Sequence, residues 1–256
     1  MYDFKIKGAI SIHKPLFMPW LPLIARIACS EIYVALDNVQ YRKQYFDNRT
    51  RIEKWESKEL KWLTMQVNNP HLSKMDEVTV CGDQAIKKVI ATIESNYSRA
   101  PFFRKYWMPI RNTLISVTND KTSIFDINIE LTTALFDLLD IKLPQIIRSS
   151  AIYTGIDRNE RIIESCKITQ KTFFLNGWGK SRTVHDLISL KSYGIVFIGL
   201  DRNRVFDLVN NLYLRDGLSM IHVLFMCGDH VVRQNISYIR EVYLNEIDKQ
   251  RDCIQM

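Results

Sequence analysis

Ile32-Tyr33-Val34-Ala35-Leu36 is an unbroken apolar run, and it passes directly into the polar stretch Asp37 to Ile52, DNVQYRKQYFDNRTRI. A short apolar run with polar flanks reads as a strand buried on both faces, as parallel sheets require. Just past its end stand a carboxylate, several amides and several cations beside aromatics. Open α/β sheets bind their ligands at the carboxyl ends of their strands. The stretch is therefore read as a motif loop over 37–52 that grips a polar, anionic small molecule.

Working outward, Ile10-Ser11-Ile12 is a second apolar strand, predicted over 9–13, and it runs into HKPLFMPWL (13–21) and a helix over 20–29. Downstream, Leu60–Val67 is predicted as a strand and Glu77–Val80 as a short edge strand. Asp83 can cap a helix from Gln84 to Tyr97, whose Ile86, Val89, Ile90 and Ile93 share one face. Further helices are predicted over 103–116 and 125–139. After these the pattern returns to alternation. Strands 145–148, 172–175 and 195–200 are separated by helices over 158–167 and 184–190, and an apolar helix over 218–226 is closed by Gly228 as a C-cap. Strands alternating with helices imply an α/β fold with a doubly wound, mostly parallel, Rossmann-like sheet. The helical region 83–140 is read as an insertion or cap on a single domain spanning 1–256.

Composition bounds the function. The 256 residues are 46% apolar, enough for a sizeable core. No run approaches the roughly 18 apolar residues of a membrane span, and the N-terminus lacks the apolar segment of a signal peptide. The expected compartment is the cytoplasm. Five widely spaced cysteines, with no Cys-x-x-Cys pair, read as buried free thiols rather than a disulfide or zinc framework. No metal is expected, since no histidines and acids stand at ligand spacing, and no cofactor is named by any motif. A net charge of +7, from 35 basic and 28 acidic residues, favours anionic partners.

Several of these residues resemble the motifs of a known family. The WbqC-like family of bacterial proteins opens with a strand, then His-x-Pro-x-x-x-Pro-Trp, then a second strand ending in Asp-Asp-Val-Gln and a downstream Asn-Arg-x-Arg-Ile. The matching residues are His13, Pro15, Pro19, Trp20, Asp37, Val39, Gln40, Lys43, Asn48, Arg49, Arg51 and Ile52, with Asn38 replacing the second Asp. Weaker agreement continues through Trp62-Leu63-Thr64 ahead of Val67, Arg148-Ser149-Ser150, Gly177 and Gly179, Leu218-Ser219, Leu224-Phe225 and Cys227-Gly228. His222 and Met226 stand where the family usually has Asp and Asn. The strand, loop histidine and helix are also similar to the nucleotidyltransferase-like superfamily, although its usual second histidine is missing.

The resemblance implies a role in surface-polysaccharide (O-antigen) synthesis, as an amino acid or acyl transferase. Its acceptor would be the amino group of a nucleotide-linked amino sugar. It implies His13 or Asp37 as catalytic base, because amide formation requires removal of an amine proton. Asn48 or the Gly177/Gly179 loop would donate to an acyl oxyanion. Lys43, Arg49 and Arg148 would hold a diphosphate, since cations and arginine forks suit such groups. Trp20, Gln40, Ser149 and Ser150 complete the expected binding residues, and the partners are a nucleotide-sugar and an acyl or amino acid donor. Two other classes stay open: a nucleic-acid base-modifying transferase, whose backbone binding the net charge would aid, and a non-catalytic nucleotide-sugar binding protein.

Overall fold

The computed structural model describes residues 1–54, 57–68, 71–116, 122–177, 184–209 and 217–255. Five parallel strands, β1 (Ala9–His13), β2 (Ile32–Ala35), β7 (Gln145–Arg148), β8 (Phe173–Asn176) and β9 (Val196–Gly199), form one sheet in the order β7-β2-β1-β8-β9. The chain steps outward from β1 to β2 to β7, then returns to the other side of β1 for β8 and β9. The winding therefore reverses between β1 and β8, whose registers align Ala9 with Phe173 and Ser11 with Leu175. This is a doubly wound, Rossmann-like α/β fold.

Strand alternation sorts the core into two layers. Ile10, Ile12, Ile32, Val34 and Phe174 face α5 (Arg158–Thr169) and α6 (Leu187–Ser192), where Ile162, Ile163, Cys166 and Leu190 complete one apolar cluster. Ala9, Tyr33, Ala35 and Leu175 face the larger cluster, with α1 (Leu21–Ala28) and α8 (Met220–Gln255). Both faces of the sheet are thus covered, and each fully buried Leu, Ile or Phe side chain contributes about 1.5–3 kcal/mol of transfer free energy. α1 reads Leu-Pro-Leu-Ile-Ala-Arg-Ile-Ala, starts on Pro22 in its first turn and is buried at all eight positions. A helix apolar all round is a core helix. Arg26 is its one charged residue.

The β2-to-β7 crossover carries the hairpin of β3 (Arg49–Glu53) and β4 (Leu60–Thr64), the pair β5 (Val67–Asn68) and β6 (Thr79–Val80), and helices α2 (Gly82–Tyr97), α3 (Phe103–Ser116) and α4 (Ile124–Leu138). Their apolar faces join the larger cluster. α7 (Arg202–Leu208) follows β9. Among the described residues no helix is long and apolar enough to cross a membrane.

Four expectations are corrected. The motif loop does not run to 52: Arg49–Glu53 is strand β3, in which Thr50 and Ile52 are buried while Arg49, Arg51 and Glu53 are half-buried. The density of charge hid a period of two. The strand predicted over 60–67 breaks after Thr64, and its end pairs separately with Thr79–Val80. The last helix does not stop at Gly228. There the backbone leaves helical geometry (φ 82°, ψ 175°), then the helix resumes to Gln255, because Val232, Ile236, Ile239 and Tyr243 continue an apolar face into the core. Finally, Cys29 and Cys166 are buried thiols, but Cys81 and Cys227 are only half-buried.

Candidate functional site

At the carboxyl ends of β1, β2 and β8, where the winding reverses, lies a cleft of about 540 Å³. A crevice at this place is what an open α/β sheet offers a ligand, because the chain diverges to the two sides there. Its apolar wall includes Ile12, Leu36, Val39, Ile156, Ile162, Phe174 and Val184. His13, Lys14, Asn38, Gln40, Arg42, Tyr45, Arg158, Arg161, Asn176 and His185 supply the polar lining.

His13, the last residue of β1, lines the cleft. Its Nδ1 is 2.7 Å from the Lys14 carbonyl oxygen. A carbonyl can only accept, so Nδ1 carries the proton and Nε2 keeps its lone pair. Burial, with Arg26 nearby, pushes the imidazole down to about 3. His13 is therefore neutral at pH 7. Lys14, its neighbour, is occupied: the ammonium pairs with the buried Asp47, whose carboxylate also accepts from the Arg42 backbone N–H at 2.8 Å. Asn128 ties this loop down, donating to the carbonyls of Pro15 (3.0 Å) and Asp47 (2.8 Å).

Asp37 follows β2 and is 1% exposed. Its carboxylate accepts from Ser149 Oγ at 2.8 Å, the Ser150 N–H at 2.9 Å, the Asn38 N–H at 3.0 Å and Ser150 Oγ. Burial alone would raise its pKa, but the donors of Ser150 and Ser149 outweigh that and hold it below the usual carboxylate range. Its side chain is not part of the cleft lining. Ser149 and Ser150 are spent on it, locking the turn after β7 to the turn after β2.

The remaining expected residues divide. Gln40 lines the cleft. Asn48 is buried and donates to the Met65 carbonyl at 2.8 Å. Arg49 donates to the Gln44 carbonyl and stacks on Trp62, 3.9 Å from the ring centroid. Arg148 pairs with Asp126 over the Phe125 ring. Trp20 precedes α1 and pairs with Ser219. Lys43 is exposed and, like these four, lies outside the lining. Gly177 follows Asn176, and a Cβ there would touch Arg26 at 3.5 Å. Gly179 lies outside the described residues. His222, one of the two departures from the family pattern, bonds the Tyr97 hydroxyl at 3.1 Å within the core.

Besides Lys14, which is paired with Asp47, the cations that line the cleft are Arg42 from the motif loop and Arg158 and Arg161 from the first turn of α5. None has a carboxylate partner within ion-pair distance among the described residues. Arg161 is 7% exposed and, among the described residues, donates only to the Gly155 carbonyl at 2.9 Å and leaves its Nε–H without a partner. A signal for this pair stood in the sequence: Asp157 caps α5, yet two arginines follow in its first turn, where the helix dipole disfavours cations. A local rule broken in this way marks a place where function outweighs propensity.

A family model described as WbqC-like protein family matches residues 14–234, most of the chain. The chain belongs to the WbqC-like family. This WbqC-like protein is also 26% identical over 173 residues to a Mycobacterium tuberculosis protein described as uncharacterized, covering 66% of the chain and 71% of that relative. No solved structure matches it. The family match contains Asp37, the three cleft arginines and Asn176, and begins one residue after His13.

Proposed function

We propose that this WbqC-like chain is a transferase that joins an amino acid or other acyl group to the amino group of a nucleotide-linked amino sugar. The observation that carries the reading is the cleft's polarity. Arg42, Arg158 and Arg161, without carboxylate partners among the described residues, line a half-apolar crevice that a neutral histidine also lines. Unpaired cations there are suited to a diphosphate, which arginine forks bind bidentately. The apolar wall suits a nucleobase or sugar face, and Gln40 offers a neutral donor and acceptor for hydroxyl and amide groups, whereas the Asn38 amide is held by the Tyr153 carbonyl and Ser149 Oγ, each at 2.7 Å.

In this reading His13 accepts the amine proton at Nε2 while the amine nitrogen attacks the carbonyl of an activated acyl donor, a thioester or acyl phosphate; the bond to the thiol or phosphate breaks, and that leaving group departs with the bonding pair and takes the proton back from Nε2. The hydrogen bond from Nδ1 to the Lys14 carbonyl keeps the tautomer that leaves Nε2 free. A bound anion would raise the basicity of an imidazole that burial and Arg26 depress. Asp37, whose Oδ1 accepts three hydrogen bonds and Oδ2 one, acts as a positioning residue that fixes the turn after β2. Lys43, Arg49 and Arg148, which lie outside the cleft lining, are not assigned to the diphosphate in this reading. The test is single-turnover acyl transfer to UDP- and dTDP-linked amino sugars, followed by mass spectrometry. His13→Gln should bind the sugar nucleotide and fail to form the amide. An unchanged rate in that variant would overturn the assignment.

A further inference from the structure

Arg26 is the lone charge in a helix otherwise made of Leu, Ile, Ala and Pro, and it is 5% exposed. Its guanidinium makes one hydrogen bond, from Nη1 to Asn176 Oδ1 at 3.2 Å, and no ion pair among the described residues. Among the described residues its Nε–H has no partner, nor does the Nδ2 amide of Asn176, which is 6% exposed and lines the cleft. The Asn176 Oδ1 also accepts the Gly177 N–H at 2.8 Å, so the amide is fixed with its NH2 group turned elsewhere. Around the pair, the Tyr33 hydroxyl donates to the His13 carbonyl at 3.1 Å and the Tyr243 hydroxyl to the Asn176 carbonyl at 2.9 Å. These two phenols tie the ends of β1 and β8 on either side of the switch point. A buried cation without a counter-charge is expensive, and buried amide donors are normally bonded. A fold keeps such a pair where a ligand supplies the missing charge.

We infer that Asn176, in the lining of the cleft, and Arg26, bonded to it from behind and itself outside that lining, form an inner anion subsite that takes the carboxylate of a small second substrate, apart from the outer arginines. One cation balances one negative charge, and paired N–H donors suit a carboxylate; a phosphate dianion would leave excess charge in a poorly solvated place. Asn176 lines the same cleft as His13, so a carboxylate held there shares the cleft with the group that accepts the amine proton. This inference rests on reading the cleft as a ligand site, while the diphosphate assignment concerns other residues.

The experiment compares thermal shifts of the full chain with sodium acetate, with glycine and with inorganic pyrophosphate. Wild type, Arg26→Met, Asn176→Asp and Arg161→Gln are run side by side. Removing the unpaired cation (Arg26→Met), or giving it an internal partner (Asn176→Asp), should leave the ligand-free melting temperature equal or higher. Each should abolish the carboxylate shift and retain that of pyrophosphate, while Arg161→Gln should do the reverse. A carboxylate shift that survives in Asn176→Asp, or is absent from wild type, overturns the inference. Where Arg26→Met does not fold, Asn176→Asp decides alone. Loss of pyrophosphate binding from wild type, with the carboxylate pattern intact, would instead overturn the diphosphate reading.

Discussion

Ser149 Oγ lies 2.8 Å from Asp37 Oδ1, joining residues 112 apart in sequence across the ends of the neighbouring strands β2 and β7. With the Ser150 N–H and Asn38 N–H bound as well, the carboxylate is a knot of backbone geometry. Asp37→Asn would set an NH2 group against some of these donors. Charge-assisted hydrogen bonds contribute about 1.5–3 kcal/mol each, so the variant should lose at least about 2 kcal/mol of unfolding free energy in urea. A variant with wild-type stability and no activity would instead return Asp37 to the role of base.

His13 gives a pH dependence with a definite sign. The imidazole titrates near 3 in the folded chain, against about 6.5 when unfolded. Between those values the unfolded chain binds more protons, so stability falls as pH drops from about 6.5 toward 3. For this half-buried group the loss between pH 6.5 and 5 is at most about 2 kcal/mol. His185, which burial and Arg158 also push down, acts in the same direction. The melting temperature of His13→Gln should therefore fall less steeply over this range than that of wild type. Parallel slopes would show that the imidazole is not held neutral by the fold.

The Lys14–Asp47 pair is buried beneath the cleft rim. Removing one member of a buried ion pair leaves an uncompensated charge and costs about 3–5 kcal/mol. Asp47→Asn or Lys14→Met alone should lower the melting temperature by at least about 6 °C. The double variant Lys14→Met/Asp47→Leu should recover part of the loss. Single variants within about 1 °C of wild type would contradict the pairing.

Much of the fold was legible because its signals were local. Each sheet strand reads as an apolar run with polar flanks, and the alternation with helices gave the parallel sheet. What escaped was set by distant contacts. Nothing local distinguishes Arg49, stacked on Trp62, from Arg42, which lines the cleft. Asp37 reads as a free carboxylate until Ser149 arrives from the other end of a long crossover. The second half of α8 was missed because Gly228 looks like a stop, and only the buried face from Val232 to Tyr243 shows that the helix resumes. Arg26 was passed over because an arginine in the last turn of a helix is unremarkable by sequence; its burial is what singles it out.

The central claim, that the cleft arginines rather than those of β3 and β7 hold an anionic sugar nucleotide, is tested most directly by calorimetric titration of a UDP-linked amino sugar. Wild type would be compared with Arg161→Gln, Arg158→Gln, Arg49→Ala and Arg148→Ala. The account predicts that Arg161→Gln and Arg158→Gln weaken binding at least tenfold, about 1.4 kcal/mol each, with Arg49→Ala and Arg148→Ala near wild type. Loss of binding in Arg49→Ala or Arg148→Ala, with Arg161→Gln unaffected, would contradict it.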